Sequence, residues 1–114
     1  MTNKASITLK ALPVKGKGKS DKEVVLILQG DLNIENSHNV RDFLLDNLKK
    51  YEGFTLKVNE VVSIDLGIIQ LIQRFIWDAQ AENKNSTIEL SLSQEQKKLL
   101  EKSGFNSLLA LSKK

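Results

Sequence analysis

Near the middle of the chain the hydrophobic pattern changes period, and the change marks its most informative stretch. Over residues 57–77, KVNEVVSIDLGIIQLIQRFIW, the residues Val58, Val61, Val62 and Ile64 are apolar and β-branched, which suits a buried strand. From Ile68 onward, Ile68, Ile69, Ile72, Phe75, Ile76 and Ala79 recur three and four apart, the stripe a helix lays against a sheet. The switch falls at Ser63, Ile64, Asp65, Leu66 and Gly67. An Asp directly ahead of such a run predicts a helix whose first amides are capped by its side chain. The positive end of a helix is thus expected at the carboxyl end of a strand, where α/β proteins commonly keep their functional surface. On its other side this helix carries a second stripe of Leu66, Gln70, Gln73 and Trp77. Two readings of Trp77 stand: an exposed protein-binding anchor, or a core residue covered by the first or third helix.

The same reading extends in both directions. Residues 6–12 alternate, with Ile7, Leu9 and Ala11 on one face, and Pro13 ends or edges that strand. Residues 14–22 hold two glycines and four lysines and predict a flexible hairpin loop. EVVLILQ, residues 23–29, is a near-continuous apolar run and predicts a central strand covered on both faces, with Gly30 as its exit. Asp31, Leu32 and Asn33 lead into a helix with Val40, Phe43, Leu44, Leu48 and Tyr51 inward, capped by Asn33 or Asn36. Gly53 ends it, and residues 54–58 form the third strand. A fourth strand is expected over 87–92. Ser93 and Gln96 have the spacing of a capping box and predict a helix to about Lys102, with Leu99 and Leu100 inward and Gly104 as its stop. Phe105, Leu108, Leu109 and Leu111 predict an apolar terminal helix or strand. Crossovers through helices favour parallel neighbours, so the fold class is α/β: a mixed sheet of four to five strands with helices packed against it, one domain over 1–114.

Composition narrows the function. With 114 residues, 40% hydrophobic and 27% charged, the chain has the make-up of a globular protein. It has no cysteine, its first ten residues lack the apolar core of a signal peptide, and Gln70, Gln73 and Arg74 interrupt its longest apolar run. A cytoplasmic protein with no membrane insertion is expected. The net charge of +3 sits largely in the 14–22 loop and the terminal Lys113 and Lys114, without interleaved aromatics, which argues against nucleic acid. An enzyme needs convergent groups. The single His38 falls among polar neighbours and the carboxylates lie on polar faces, so no catalytic residue, metal ligand or cofactor is expected.

With those elements in place, the order and the residues resemble the STAS domain (sulfate transporter and anti-sigma factor antagonist). Gly30, Asp31, Leu32 and Asn33 resemble that family's strand exit into its first helix, and FTLKVNEVVSIDLGIIQLI resembles its central strand, connection and second helix. Ser103, Gly104 and Phe105 resemble the end of its third helix. The resemblance runs from about Ile7 to Leu111 and implies a protein-binding module of the anti-sigma factor antagonist type. In the family the Asp is commonly followed by Ser-Ser-Gly or Ser-Thr-Gly, and the first hydroxyl is phosphorylated to switch partner binding off. Here Asp65 stands, but Leu66, Gly67 and Ile68 occupy the next three positions, and Lys57 replaces a usual acidic residue. The resemblance therefore implies partner binding through Asp31, Asn33, Asp65, Leu66, Gly67, Gln70, Gln73 and Trp77, with no phosphorylation at that position. Ser63 reads as a strand-end serine rather than a displaced phosphosite. Leu66 and Ile68 at the helix mouth disfavour a nucleotide. The partners implied are a kinase-like anti-sigma factor or, as a structural subunit, an ABC-type lipid-transport component or signalling scaffold; a homodimer is a further candidate.

Overall fold

Hydrophobic alternation decides how the strands stack. The computed structural model describes residues 7–14 and 22–105. Within them β1 (Ile7–Val14) runs antiparallel to β2 (Glu23–Leu32), pairing Leu9 with Leu28 and Ala11 with Leu26. Two parallel neighbours follow, β3 (Gly53–Ile64) beside β2 and β4 (Asn85–Leu90) beside β3, so the sheet order equals the chain order, β1-β2-β3-β4. Each parallel step needs a crossover, and α1 (Ser37–Lys50) and α2 (Leu66–Ala81) supply them. A short 3-10 turn (Ile34–Asn36) precedes α1, and α3 (Gln94–Lys102) follows β4. Among the described residues the sheet has four strands.

One face of the sheet carries the core. Val24, Leu26 and Leu28 of β2, Phe54, Leu56 and Val58 of β3, and Ile88 and Leu90 of β4 are buried beneath the apolar stripes of α1 and α2. Ile68, Ile69 and Ile72 of α2 are fully enclosed, and Phe75 meets Phe54 edge to face with ring centroids 5.0 Å apart. The opposite face is only partly covered: Val25 and Ile27 are half-buried, so the central strand is not sealed on both sides as its apolar run suggests. Their β-branched side chains still suit a pleated surface, which is why the run is continuous without double burial. Lys84, in the turn after α2, donates from Nζ to the Leu48 carbonyl at 2.5 Å, placing a cation at the carboxyl end of α1.

Several boundaries differ from expectation for local reasons. β4 starts and ends earlier, at Asn85–Leu90, because its register follows Gly53–Val58 of β3. α1 stops at Lys50, before Gly53, which instead opens β3. Asn33 caps the 3-10 turn by accepting from the Glu35 amide, whereas the Asn36 side chain turns to the Asp31 carbonyl and caps nothing. In α3 the Ser93–Gln96 capping box forms, but only Leu100 is buried and Leu99 faces outward. Gly104, at φ +87°, ends the helix. The loop expected over 14–22 lies outside the described residues except for its ends, Val14 in β1 and Lys22 before β2. The apolar terminal element expected at Leu108, Leu109 and Leu111 lies outside them too.

The irregular part is β3. Between the pairs Glu23–Gly53 and Leu32–Ile64, β2 uses 10 residues and β3 uses 12. The excess falls in two places, between Val58 and Val61 and between Val61 and Ser63. Glu60, in the first bulge, takes a left-handed conformation at φ +48°. Opposite it Gly30 sits at φ +95°, a conformation its missing Cβ permits. Gln29 Nε2 donates to Asn59 Oδ1 at 2.6 Å and Gln96 Nε2 to the Val61 carbonyl at 3.4 Å, fastening the bulged segment from both sides. Because there are two extra residues, the original parity returns and Ile64 is buried like Val58. Glu60→Gly should raise stability by up to about 1 kcal/mol by relieving the left-handed backbone. Ile72→Ala should lower it by about 2–5 kcal/mol. Urea unfolding followed by circular dichroism checks both, and a destabilising Glu60→Gly would show that the glutamate side chain holds the bulge.

Candidate functional site

The carboxyl ends of β2 and β3 bring the first crossover against the second. Asp31 pairs with Ser63 and Leu32 with Ile64, and the Asp65 amide extends the ladder by donating to the Leu32 carbonyl at 2.9 Å. The chains then diverge, β2 into the 3-10 turn and β3 into α2. Side chains hold the junction. Ser63 Oγ donates to Asp31 Oδ1 at 3.2 Å, and Asn33 Nδ2 reaches Ser63 Oγ at 3.5 Å. Asn36, almost fully buried, donates from Nδ2 to the Asp31 carbonyl at 2.8 Å. Asp31, Asn33, Ser63 and Asp65 thus form one polar seam under the mouth of α2.

Asp65 does not do what its place in the sequence suggests. It is the N-cap residue of α2, yet its side chain accepts no helix amide. Only its backbone carbonyl serves the helix, accepting from the Ile68 and Ile69 amides at 3.0 and 3.2 Å. The carboxylate turns across the junction and accepts from the Ile34 amide, Oδ2 at 2.8 Å. The reason is proximity: parallel pairing puts the open amide of Ile34 beside Asp65, and the 3-10 turn leaves it unsatisfied otherwise. The expected helix cap is in fact a tether between crossovers. The first turn of α2 has no acidic side chain, and the space over Gly67 is open.

The segments that form this polar seam also carry exposed apolar residues. Leu66 is 36% exposed, Ile34 69% and Val62 74%. Val62 is the residue the second bulge of β3 ejects from the ladder, and Ile34 is the first residue of the 3-10 turn. The sequence marks neither as a surface residue: Val62 falls in phase with Val58 and Ile64 and reads as a buried strand valine, which its exposure corrects, while Ile34 stands outside the Val40–Leu44–Leu48 stripe. Along α2, Gln70 is exposed, Gln73 half-buried and Trp77 59% exposed, so the outer stripe exists and Trp77 is not covered by α1 or α3. Asp31, Asn33, Asp65, Leu66 and Gly67 meet at the mouth, and Gln70, Gln73 and Trp77 run away from it down the helix. His38 is exposed. Among the described residues no group of three or more His, Asp or Glu side chains could hold a metal ion, and no helix is long and apolar enough to cross a membrane.

Comparison with known proteins decides the family. The family described as "Mlab, STAS domain" matches residues 16–110, most of the chain. The protein belongs to the STAS domain family. Among solved structures this STAS domain is similar to the Bacillus cell fate determinant SpoIIAA in its phosphorylated form, at 14% identity over 90% of this chain and 86% of that one, with a TM-score of 0.61. It is similar as well to the anti-sigma factor antagonist SpoIIAA in its unphosphorylated form, at 14% identity over 82% of each chain and a TM-score of 0.62. At that identity the likeness is one of fold. No curated protein matches this chain in sequence.

The tether can be told from a cap by substitution. Glycine is nearly as good as aspartate at an N-cap, so a pure cap would lose only about a few tenths of a kcal/mol in Asp65→Gly. Loss of a charge-assisted bond to Ile34 should instead cost about 1–2 kcal/mol. Equilibrium unfolding of Asp65→Gly is the check, and a loss within the few-tenths range would return Asp65 to a capping role.

Proposed function

We propose that this STAS domain is a non-enzymatic protein-interaction module that binds a regulatory partner at the α2 mouth and works without a phosphoserine switch there. The observation that supports it best is the exposure of Ile34, Val62 and Leu66 around one helix end. Exposed aliphatic side chains gathered at one end of a sheet add little to the fold, and a gathered apolar surface with polar surroundings is the usual mark of a binding site. Trp77, farther along the outer stripe with Gln70 and Gln73, extends that surface with an aromatic anchor. SpoIIAA, of the same fold, is an anti-sigma factor antagonist with a phosphorylated form. In this chain Leu66 takes the position that the family resemblance assigns to the phosphorylated hydroxyl, and it offers no oxygen to a kinase. Asp31, Asn33 and Asp65 contribute by holding the two crossovers together, so that the apolar residues are presented on a fixed frame.

A second reading draws on the same leucine. A site without a hydroxyl has no switch at that position, which suits a constitutive subunit of an ABC-type lipid-transport complex or a signalling scaffold. The two differ in the protein retained: a kinase-like anti-sigma factor in one, an ABC ATPase or permease in the other.

Leu66→Glu tests the surface. A carboxylate in the first turn of α2 interacts favourably with the helix dipole, by about 0.3–1 kcal/mol, so the variant should melt within a few degrees of wild type. At a binding surface the same charge must be desolvated without a partner, which should weaken capture by about 100-fold or more. Pull-down from the native host with wild type, Leu66→Glu and Trp77→Ala, followed by mass spectrometry, should show one partner retained by wild type and lost from both variants. A partner held equally by all three would place docking elsewhere. Phosphate on Ser63 after incubation with host kinases and ATP would restore a switch in a shifted position.

A further inference from the structure

α2 has a second outward side, away from the Leu66–Trp77 stripe. There it runs beside α1, and the two helices leave a groove of about 350 Å3 between them. Its apolar lining includes Leu45 and Leu48 of α1 and Leu71 and Phe75 of α2, with Leu45 41% exposed. Arg41 from α1 and Arg74 and Asp78 from α2 border it, two cations against one carboxylate. The Arg41 side chain makes no hydrogen bond or ion pair among the described residues, and Arg74 reaches Asp78 only at 3.7 Å, with 75% of its side chain exposed. Both guanidinium groups therefore have free donors beside an apolar trough.

We propose that this groove is a second docking surface, and that its occupant is an amphipathic helix of a partner protein with carboxylates flanking its apolar stripe. Charge complementarity selects the acid: two arginines outnumber the one carboxylate, Asp78, at the trough, Arg41 has no partner among the described residues, Arg74 is only weakly paired with Asp78, and each can hold a carboxylate through two donors. Shape selects the helix. The groove lies between two packed helices, so the ridge of a third fits it, and it offers no free strand edge for an extended peptide. The trough is open along its outer side. Its volume would admit a small ligand, but that open side would leave part of such a ligand in water, whereas a helix laid along the trough covers it. Leu45, half out of the core, would be covered by the incoming stripe. The surface stands apart from the α2 mouth, and a partner could engage both together.

The test uses the full chain, labelled with 15N, and a synthetic amphipathic helix carrying a leucine stripe flanked by glutamates. Titration should be saturable, with shifts at Arg41, Leu45 and Leu48 of α1 and at Leu71, Arg74 and Phe75 of α2. Arg41→Glu combined with Arg74→Glu changes two exposed side chains, so the fold should persist while binding weakens by about tenfold or more. A counterpart flanked by lysines should not bind. Leu66→Glu should bind the peptide like wild type, which separates this groove from the mouth. The proposal is overturned if the acidic peptide fails to saturate, if the lysine version binds equally, or if the shifts centre on Leu66. Saturation of the same residues by sodium oleate, with no response to the peptide, would overturn it too and assign the groove to a small amphiphile.

Discussion

The parallel pairing of β2 with β3 is the constraint on which the rest of the candidate site depends. It sets Asp31 against Ser63 and Leu32 against Ile64, and so delivers the start of one crossover to the start of the next. Neither chain end could satisfy its polar groups alone. The 3-10 turn leaves the Ile34 amide open, and Asp65 supplies the acceptor from the other crossover. A charge-assisted bond of this kind contributes about 1.5–3 kcal/mol where it is sheltered, and less at an exposed junction. Its larger consequence is geometric, since it fixes Ile34 relative to Leu66.

The bulges of β3 have the matching role. An uninterrupted strand would keep strict alternation between Val58 and Ile64 and would put each residue in the ladder. Two extra residues preserve the parity at Ile64, so the core closes, while Glu60 and Val62 are pushed out. The backbone strain at Glu60 is one cost of that arrangement. An exposed valine beside the α2 mouth is its product. Core and surface are thereby decoupled: Ile64 and Ile68 secure the strand and helix from below, and Val62 and Leu66 present an apolar edge above them.

Much of this was legible in the residues because hydrophobic period is read directly. The helix stripe from Ile68 to Ala79 faces the sheet, the Ser93–Gln96 box forms, and Gln70 points outward; Trp77, for which the sequence left both an exposed and a covered position open, is exposed. The order of elements and the resemblance to the STAS domain agree with the sheet observed. Features that depend on contacts between distant segments were not legible. Asp65 has the sequence context of a cap, and only the register between β2 and β3 reveals the Ile34 amide as a better donor. Val62 reads as one more strand valine until the residues of β2 and β3 are counted against each other. β2 looks like a strand buried on both faces because β-branched residues suit a half-covered surface as well as a sealed one. The groove between α1 and α2 leaves no mark in the sequence, since Arg41 and Arg74 are far apart in the chain and ordinary for exposed helix positions.

The partner of the Asp65 carboxylate decides whether the two crossovers are tethered, and a scalar coupling across the hydrogen bond measures that directly in the unmodified protein. With uniform 13C and 15N labelling, a coupling should appear between the Ile34 amide nitrogen and the Asp65 side-chain carboxyl carbon. A coupling from that carbon to the amide of Gly67 or Ile68 instead, with none to Ile34, would make Asp65 an ordinary helix cap. It would remove the side-chain tether that fixes Ile34 relative to Leu66 and leave the Asp31–Ser63 contact and the strand ladder to hold the two crossovers.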